Sequence, residues 1–307
     1  MTPPEPPGQE RTESAFRAGT VAIVGRPNVG KSALLNALVG TKVAIVTPKP
    51  QTTRTRVVGI RTVPAGQAVF IDTPGIHAAR SMLNRRMVET ARGALDDADA
   101  VVLVVDASAG VLRADRELAG ELAEASRPVV VVLNKMDRLA RSRLLPLMAE
   151  LATLLPGREL VPASATRGEN VPAVLEAVLR ALPEGPPLYG EEEFTTEPAR
   201  LLAQELVREQ VFLATRDEVP YGAAALVERF EERPEDDLVV IAATILVARP
   251  SHKGIVIGTG GERLRDIGTR ARQALEKLLG TRVFLELFVR VEPGWAENRR
   301  RLTELGL

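Results

Sequence analysis

Eight consecutive residues near the start of the chain have the types and spacing of a phosphate-binding loop. They are Gly25, Arg26, Pro27, Asn28, Val29, Gly30, Lys31 and Ser32. The glycines let the backbone curl so that successive N–H groups point into one concavity, where a phosphate can be held. Lys31 can then reach the β- and γ-phosphate oxygens, and the Ser32 hydroxyl can bind Mg²⁺. An ordinary glycine-rich turn is a poor alternative, because the fixed glycine, lysine and hydroxyl positions are all filled.

Three later segments place polar residues directly after apolar runs. They are Asp72-Thr73-Pro74-Gly75, Asn134-Lys135-Met136-Asp137 and Ala163-Ser164-Ala165. A carboxylate at Asp72 can hold Mg²⁺ through water, while the Gly75 amide can sense a γ-phosphate. Each segment alone could be a plain turn. Because all follow the phosphate loop in this order, each at the end of an apolar run, they indicate one nucleotide site.

Asp137 is the residue that we expect to select the base. Guanine offers two adjacent donors, N1–H and the exocyclic amine, and a carboxylate can accept both. Adenine presents an unprotonated N1 there, which has no hydrogen to share. The backbone at Ser164 and Ala165 could cap the guanine O6. GTP should therefore be preferred over ATP, by on the order of several kcal/mol.

The scaffold for these motifs is predicted by the hydrophobic pattern between Thr20 and Leu182. Short apolar runs predict parallel strands buried on both faces, at Val21–Val24, Ala68–Ile71, Ala100–Val105 and Pro128–Leu133. Helical patterns lie at about Lys31–Val39, Met82–Leu95, Ala114–Ala125, Arg141–Leu155 and Val171–Ala181. The fold class is therefore α/β, a doubly wound, mainly parallel sheet with its ligand at the carboxyl ends of the strands.

The pattern changes at the Pro/Gly-rich segment Leu182–Pro187, which reads as a linker. Beyond it a smaller α+β domain is predicted. Its helices are at Ala199–Ala214, Ser251–Ile257 and Glu262–Leu279, and its strands at Tyr221–Phe230, Asp237–Ala248 and Arg282–Val291. The chain thus divides into a disordered leader (1–18), a nucleotide-binding domain (19–182), a linker (183–197) and a second domain (198–307).

A glycine-rich turn joins the last two predicted helices. A Gly-x-x-Gly turn lets an RNA backbone approach closely, and the order α-β-β-α-α-β resembles the type II KH fold. The residues assigned to RNA binding are Lys253, Gly258, Thr259, Gly260, Gly261, Arg263 and Arg265. Arg263 and Arg265 have an equally good interpretation as ordinary exposed helix charges. Trp295 is interpreted as a packing anchor rather than an RNA contact.

Composition excludes several kinds of protein. The chain has no cysteine and two histidines, which excludes disulfides, thiolate metal sites and histidine-rich metal sites. It has no apolar run of about 18 residues and no signal-peptide core in its proline-rich start, so a cytoplasmic protein is expected. Net charge is zero, yet Glu191–Asp237 carries 14 acidic and 5 basic residues, and Ser251–Leu307 carries 11 basic and 7 acidic ones. The basic C-terminal part is compatible with a polyanionic partner.

Together these motifs resemble those of the translation-factor-like small GTPases. With a C-terminal type II KH domain, the chain resembles the Era family of bacterial GTPases, within the TrmE-Era-EngA-like superfamily. The similarity runs from about Thr20 to Leu307 and includes Ser251–Gly258 and Glu292–Trp295. It implies a GTP-hydrolysing switch that binds GTP or GDP with Mg²⁺, binds the 3′ end of 16S ribosomal RNA and assists assembly of the 30S subunit. The family also associates peripherally with the inner membrane, and we expect a monomer.

The resemblance assigns one more nucleotide motif to the loop Gln51–Thr55. One threonine there should complete the Mg²⁺ shell. Thr53 is favoured and Thr52 is the alternative, and a solvated basic segment is an equally open interpretation of the loop alone. The metal ligands would be Ser32, Thr53 and Asp72. The catalytic residues would be Asn28, Lys31, Thr53 and Gly75.

Ile76 stands where Ras-like proteins place the glutamine that orients the attacking water. Isoleucine has no group that positions water, so intrinsic hydrolysis should be slow. In several similar families a loop asparagine, here Asn28, helps to hold a K⁺ ion. This implies faster hydrolysis in K⁺ than in Na⁺, and the alternative that Asn28 only shapes the loop is equally open.

The resemblance also implies a switch. The γ-phosphate and Mg²⁺ should order Gln51–Thr55 and Asp72–Arg80, which should contact the linker or the KH domain. Two other functions are alternatives for this chain. A GTPase of tRNA modification would share the motifs but would not need a KH domain. A non-hydrolysing RNA-binding protein is disfavoured by four intact residues of the nucleotide site, Lys31, Ser32, Asp72 and Asp137.

Overall fold

The computed structural model describes residues 15–49, 52–73, 83, 93 and 95–307. Its first part is built on a six-stranded sheet in the order β2-β3-β1-β4-β5-β6. The strands are β1 (Arg17–Val24), β2 (Val57–Val63), β3 (Gly66–Asp72), β4 (Ala100–Asp106), β5 (Val129–Asn134) and β6 (Glu159–Pro162). Only the edge strand β2 is antiparallel to its neighbour. The predicted mainly parallel sheet is thus confirmed.

Helices cover both faces of this sheet. They are α1 (Lys31–Val39), α2 (Arg113–Ala123), α3 (Arg141–Leu154) and α4 (Val171–Ala181). The leucines of α1 and the valines of α4 pack with one face of the central strands, and the leucines of α2 and α3 pack with the other. Because β3, β4 and β5 are buried on both faces, their sequences are apolar up to their last residues, apart from Gln67 near the start of β3. Their polar residues come at the carboxyl ends, which places Asp72, Asp106 and Asn134 along one edge of the sheet.

One predicted bound changes at the start of the chain. The strand β1 begins at Arg17 rather than at Val21, so Arg17 and Ala18, which were assigned to the leader, are part of the sheet. Residues 1–14 lie outside the described residues. So does most of the predicted helix Met82–Leu95.

The linker is hydrogen-bonded to the sheet of the first domain at both of its ends. Its first residues pair with the start of β1, where the Ala18 amide donates to the Pro183 carbonyl at 3.1 Å. Its last residues pair with β2, where the Ile60 amide donates to the Phe194 carbonyl at 2.8 Å. The Thr195 hydroxyl also donates to the Val58 carbonyl at 2.6 Å. The segment that separates the two domains in sequence is therefore tied to the first of them.

The second domain has the predicted element order. Its elements are α5 (Ala199–Ala214), β7 (Ala223–Arg233), β8 (Leu238–Val247), α6 (Pro250–Ile257), α7 (Glu262–Leu279) and β9 (Arg282–Val291), followed by the short α8 (Arg299–Glu304). The sheet order is β7-β8-β9, with β7 antiparallel and β9 parallel to β8. One face of this sheet packs on α5, α6 and α7.

The helix α5 contacts both domains. Its apolar side chains pack against the second sheet, yet Gln204, Arg208, Glu209 and Gln210 are also buried. Buried polar side chains need partners. Several of these partners lie in the first domain, in the loop between α1 and β2. Among the described residues, no helix is long and apolar enough to cross a membrane.

Candidate nucleotide-binding and RNA-binding sites

The phosphate loop joins β1 to α1 and has the backbone that its glycines predict. Gly25 and Gly30 have φ angles of +147° and +100°. A Cβ atom on Gly25 would lie 2.4 Å from the Val104 carbonyl oxygen, and one on Gly30 would lie 2.3 Å from Asn134 Nδ2. Asn28 is left-handed as well, with φ +64°. The loop can therefore approach a phosphate with bare backbone above the first turn of α1.

The two basic residues of the loop have different surroundings. The Lys31 ammonium donates to the carbonyls of Gly25 (2.9 Å) and Arg26 (3.2 Å). Burial lowers the pKa of Lys31, and the nearby Asp72 opposes this shift. The Arg26 guanidinium instead pairs with the buried Asp115 of α2 at 2.7 Å. Lys31 is thus the loop cation beside the phosphate position, whereas Arg26 fastens the loop to a helix. Pro27 and Val29 complete the loop, and Val29 is fully buried.

Three oxygen ligands from three separate segments meet at the start of α1. The Ser32 hydroxyl donates to Asp72 Oδ2 at 2.6 Å and lies 2.7 Å from the Thr53 hydroxyl. The Thr53 hydroxyl in turn donates to Asp72 Oδ2 at 3.2 Å. Hydroxyl and carboxylate oxygens are the ligands that Mg²⁺ prefers. The three residues assigned to the metal by sequence are therefore brought together.

The neighbouring Thr52 points elsewhere. Its hydroxyl donates to the Lys49 carbonyl at 2.7 Å and lies 2.7 Å from the Thr47 hydroxyl. The geometry therefore supports Thr53 over Thr52 as the metal ligand. The next residue of the Asp72 motif, Thr73, is buried and donates its hydroxyl to the Ile23 carbonyl at 3.0 Å.

Asp72 has the properties expected of a carboxylate that binds a cation. Its side chain is buried, and its Oδ1 has no hydrogen-bond partner within the described part of the chain. Burial raises the pKa of Asp72, while Lys31 and the donors Ser32 and Thr53 oppose that shift. A dication beside this carboxylate would satisfy the orphaned oxygen. The residues present thus fit Mg²⁺.

The base-side loops are tied to the phosphate loop through Asn134 at the end of β5. Its amide nitrogen donates to the Val29 carbonyl at 2.9 Å, and its oxygen accepts from the Ala165 amide at 3.0 Å. Met136 adds a backbone bond to the Ala163 carbonyl at 3.1 Å. One side chain therefore fixes the distance between the phosphate and base ends of the site.

Asp137 lies beside the loop predicted to cap the base. Its Oδ1 accepts from the Ser164 hydroxyl at 2.7 Å, and its Oδ2 lies 3.5 Å from Arg167 Nε. The carboxylate is mostly buried, with 9% of its side chain exposed. These contacts orient the carboxylate, which suits a residue that discriminates by hydrogen bonds.

The motif-based prediction did not include Asp106, at the end of β4. Lys135 bridges its carboxylate, at 2.7 Å, and the carbonyl of Asn28. Partial burial acts to raise the pKa of Asp106, but hydrogen bonds from Lys135 and Ser108 and the charge of Lys135 lower it below its usual value. The signal that could have identified Asp106 is the same as for Asp72, a carboxylate that ends a buried strand.

Four predicted residues of the nucleotide site lie outside the described residues. They are Gln51, Pro74, Gly75 and Ile76. The switch segment up to Arg80 lies there as well, and so the roles predicted for them stay predictions.

The glycine-rich turn of the second domain lies between α6 and α7, as predicted. Gly258, Gly260 and Gly261 have φ angles of +72°, +58° and +80°. A Cβ atom on Gly258 would lie 2.8 Å from Arg263 Cβ. Thr259 and Gly260 are exposed. The turn is therefore an open backbone surface that a phosphate chain can approach.

Basic side chains flank this turn. Lys253, Arg263 and Arg265 are all exposed, and the Arg263 guanidinium donates to the Ile255 carbonyl. Trp295 lies elsewhere. It is 1% exposed and donates its indole N–H to the Gly222 carbonyl at 3.1 Å, so it is a packing residue, as its interpretation from sequence predicts.

Comparisons with known proteins identify both domains. A family model described as a 50S ribosome-binding GTPase matches residues 20–135, and a KH-domain model matches residues 218–296. The GTPase Era of Geotalea daltonii is 48% identical over 96% of this chain and 99% of its own length. The GTPase Era of Geobacter metallireducens is 49% identical over the same shares.

Solved structures give the same result. An Era variant of Aquifex aeolicus bound to GDP and AlF₄⁻ is 42% identical, has a TM-score of 0.90, and matches over 95% of this chain and 99% of its own. An Era structure with MgGDPNP and nucleotides 1506–1542 of 16S ribosomal RNA has the same identity, TM-score and coverage. A full-length relationship at this identity fixes both the fold and the enzyme class. The chain therefore belongs to the Era family of GTPases.

Proposed function

We propose that this GTPase binds the 3′ end of 16S ribosomal RNA through its KH domain and assists assembly of the 30S subunit under the control of GTP. One observation carries the proposal. The loop that brings Thr53 to the metal position also contacts the KH domain, because the guanidinium of the next residue, Arg54, donates to the Ala223 carbonyl at 2.9 Å. The nucleotide site and the RNA-binding domain therefore share one loop. The solved Era complex with a 16S fragment supports the choice of RNA.

In this proposal each described site residue has a definite role. The phosphate-loop amides and Lys31 hold the phosphates, and Asp137 accepts from the two guanine donors. Ser32, Thr53 and Asp72 hold Mg²⁺, which supplies positive charge where the transferred phosphoryl group becomes more negative. Asn134 keeps the phosphate and base ends in register, through its bonds to Val29 and Ala165.

Hydrolysis is proposed to be slow, because Ile76 offers no group that orients water. Asn28 has a left-handed backbone within the phosphate loop. We propose that it supports a K⁺ ion that speeds hydrolysis. The proposed location is the cytoplasm, with peripheral contact to the inner membrane, and the proposed state is a monomer.

The function is tested by two measurements on the full chain. The first is GTP turnover with Mg²⁺, in K⁺ and in Na⁺, with Lys31→Ala as the inactive control. The second is sequencing of the RNA that co-purifies with the protein. We expect slow turnover that is faster in K⁺, and enrichment of the 3′ end of 16S RNA.

The other outcomes distinguish the alternatives. Enrichment of tRNA would favour a GTPase of tRNA modification. RNA binding without turnover would favour a non-hydrolysing RNA-binding protein. Equal turnover in K⁺ and Na⁺ would remove the K⁺ role of Asn28 alone.

A further inference from the structure

Arg54 is a buried cation that belongs to the first domain but lies inside the second. Only 4% of its surface is exposed. Its guanidinium donates to the carbonyl of Ala223 (2.9 Å), the first residue of β7, and to that of Tyr221 (3.0 Å), just before the strand. Its central carbon lies 5.5 Å from the Phe212 ring centre and 5.6 Å from that of Trp295. We call these carbonyls and rings the Arg54 cage.

The cage holds a charge with neutral groups. Among the described residues, the hydrogen bonds of Arg54 go to carbonyl oxygens and not to a carboxylate. Burial lowers the pKa of Arg54 to about 9, the nearby Arg208 adds to that shift, and Glu205 opposes it. A buried cation without a carboxylate partner is held less firmly than an ion pair, because its lost hydration is only partly replaced. Arg54 is therefore suited to a contact that forms and breaks.

Further contacts fix the same loop to the second domain. Arg208 of α5 donates to the Thr52 carbonyl and lies 5.2 Å from the Phe212 ring centre. Lys49 donates to the carbonyl of Phe212, in the last turn of α5, and to that of Thr215, directly after the helix. The peptide between Thr52 and Arg54 is thus held from both sides. The residue in between is Thr53, whose hydroxyl lies 2.7 Å from that of Ser32.

We propose that Arg54 is a positioning residue through which the KH domain holds Thr53 at the Mg²⁺ position, so that the site for Mg²⁺ and a nucleoside triphosphate is completed by the second domain of the same chain. This proposal rests on the proposed function, since it needs Thr53 as a metal ligand. Thr53 is needed as a metal ligand in the triphosphate form, because the γ-phosphate and Mg²⁺ order this kind of loop. The loop is released when the γ-phosphate is lost. Emptying the cage should therefore weaken the triphosphate complex and leave the diphosphate complex almost unchanged.

Trp295 belongs both to the cage and to a buried apolar cluster. Its ring packs in one cluster with Leu83, which follows the Asp72 motif in sequence, and with Leu302 and Leu305 of the C-terminal segment. Trp295 is also the chain's single tryptophan. Its fluorescence therefore reports directly on whether Arg54 occupies the cage.

The test uses the full chain with Arg54→Gln, and Arg56→Gln as the matched control. Arg56 carries the same charge in the same loop but is exposed. Affinities for a non-hydrolysable GTP analogue and for GDP are measured with Mg²⁺, together with the Trp295 emission in each state. For Arg54→Gln we expect at least about tenfold weaker binding of the analogue. We also expect GDP affinity within about twofold of wild type and loss of the emission difference between the two nucleotides.

Arg54→Lys supplies a second, milder variant. It keeps the charge but loses the fork that reaches two carbonyls, so we expect an intermediate loss of analogue affinity. If Arg54→Gln does not fold, this variant decides alone.

Each remaining outcome has one meaning. Equal affinities in the Arg54 and Arg56 variants would overturn the positioning role, and so would an equal loss for analogue and GDP. Failure of the wild type to bind either nucleotide would instead overturn the proposed function itself.

Discussion

Asp137 shows how single side chains of the nucleotide site are prepared by their neighbours. The Ser164 hydroxyl donates to one carboxylate oxygen, and Arg167 lies near the other. These contacts leave the carboxylate fixed in the loop that follows β5. Its remaining lone pairs are free to accept from guanine. We therefore propose that the choice of base depends on the oriented carboxylate of Asp137.

Asp137→Asn should change the base that is bound. The amide is almost the same size and its oxygen can still accept from Ser164, so the fold should persist. It no longer accepts both guanine donors, and its N–H groups can instead donate to the carbonyl of xanthine. We expect GTP affinity to fall by about 100-fold or more and xanthosine nucleotide affinity to rise. Competition binding with both nucleotides measures this.

Asp236→Asn is the matched control, because it removes the same charge at an exposed position of the second domain. It should leave both affinities unchanged. Retained GTP preference in Asp137→Asn would show that another residue reads the base.

At the scale of elements, the turn between α6 and α7 depends on glycine backbone geometry. Its three glycines have positive φ, which other residues rarely adopt. The room for an added Cβ atom differs among the three positions. A Cβ on Gly258 would collide with Arg263, whereas one on Gly260 would meet nothing within 4 Å. Gly260 can therefore be changed without disturbing the packing of the helices.

Gly260→Asp should weaken RNA binding while GTP hydrolysis is spared. Aspartate tolerates the left-handed region better than most residues, and its carboxylate would repel a phosphate at the turn. We expect RNA affinity to fall by about tenfold or more, a loss of roughly 1.4 kcal/mol or more. Filter binding of a 16S 3′-end fragment and a parallel turnover assay check this.

Gly157→Asp is the matched control, since Gly157 also has a positive φ and open space but lies in the first domain. It should bind RNA as the wild type does. An unchanged RNA affinity in Gly260→Asp would remove the turn from the RNA interface.

At the scale of the whole molecule, the two domains are joined by more than their linker. Glu209 of α5 accepts from the Val46 amide at 2.8 Å and pairs with Lys42, both in the loop before β2. Together with the Arg54 cage, these contacts attach the loop before β2 to the KH domain. We propose that a change at either site alters the free energy of these shared contacts.

RNA affinity should therefore differ between the forms bound to a GTP analogue and to GDP. By linkage, RNA should change the affinity ratio of the two nucleotides by the same factor, typically about 5- to 150-fold where sites are coupled. Filter binding in both nucleotide states and nucleotide titrations with and without RNA measure the two sides of this cycle. Indistinguishable RNA affinities in the two states would contradict the coupling.

The sequence by itself determined the residue types of the site and the order of the elements. Short motifs identify residue types that are required locally. Examples are the positive-φ glycines Gly25 and Gly30, the hydroxyl of Ser32 and the carboxylate of Asp137. The helix α1 and the strand β9 have the bounds that their hydrophobic periodicity predicts. Each buries one face, and burial of one face imposes a regular spacing of apolar residues.

Only the tertiary structure decided which segments meet. It distinguished Thr53 from Thr52. The two residues have the same side chain, but the Thr53 hydroxyl donates to Asp72 and the Thr52 hydroxyl donates to the Lys49 carbonyl. It also placed Arg54 in the second domain, 169 residues from the carbonyl of Ala223 that it binds. Such an approach depends on how two domains and a linker pack together, and no local pattern encodes that distance. The motif therefore identified a nucleotide site, while the packing connected it to the domain that the nucleotide is proposed to control.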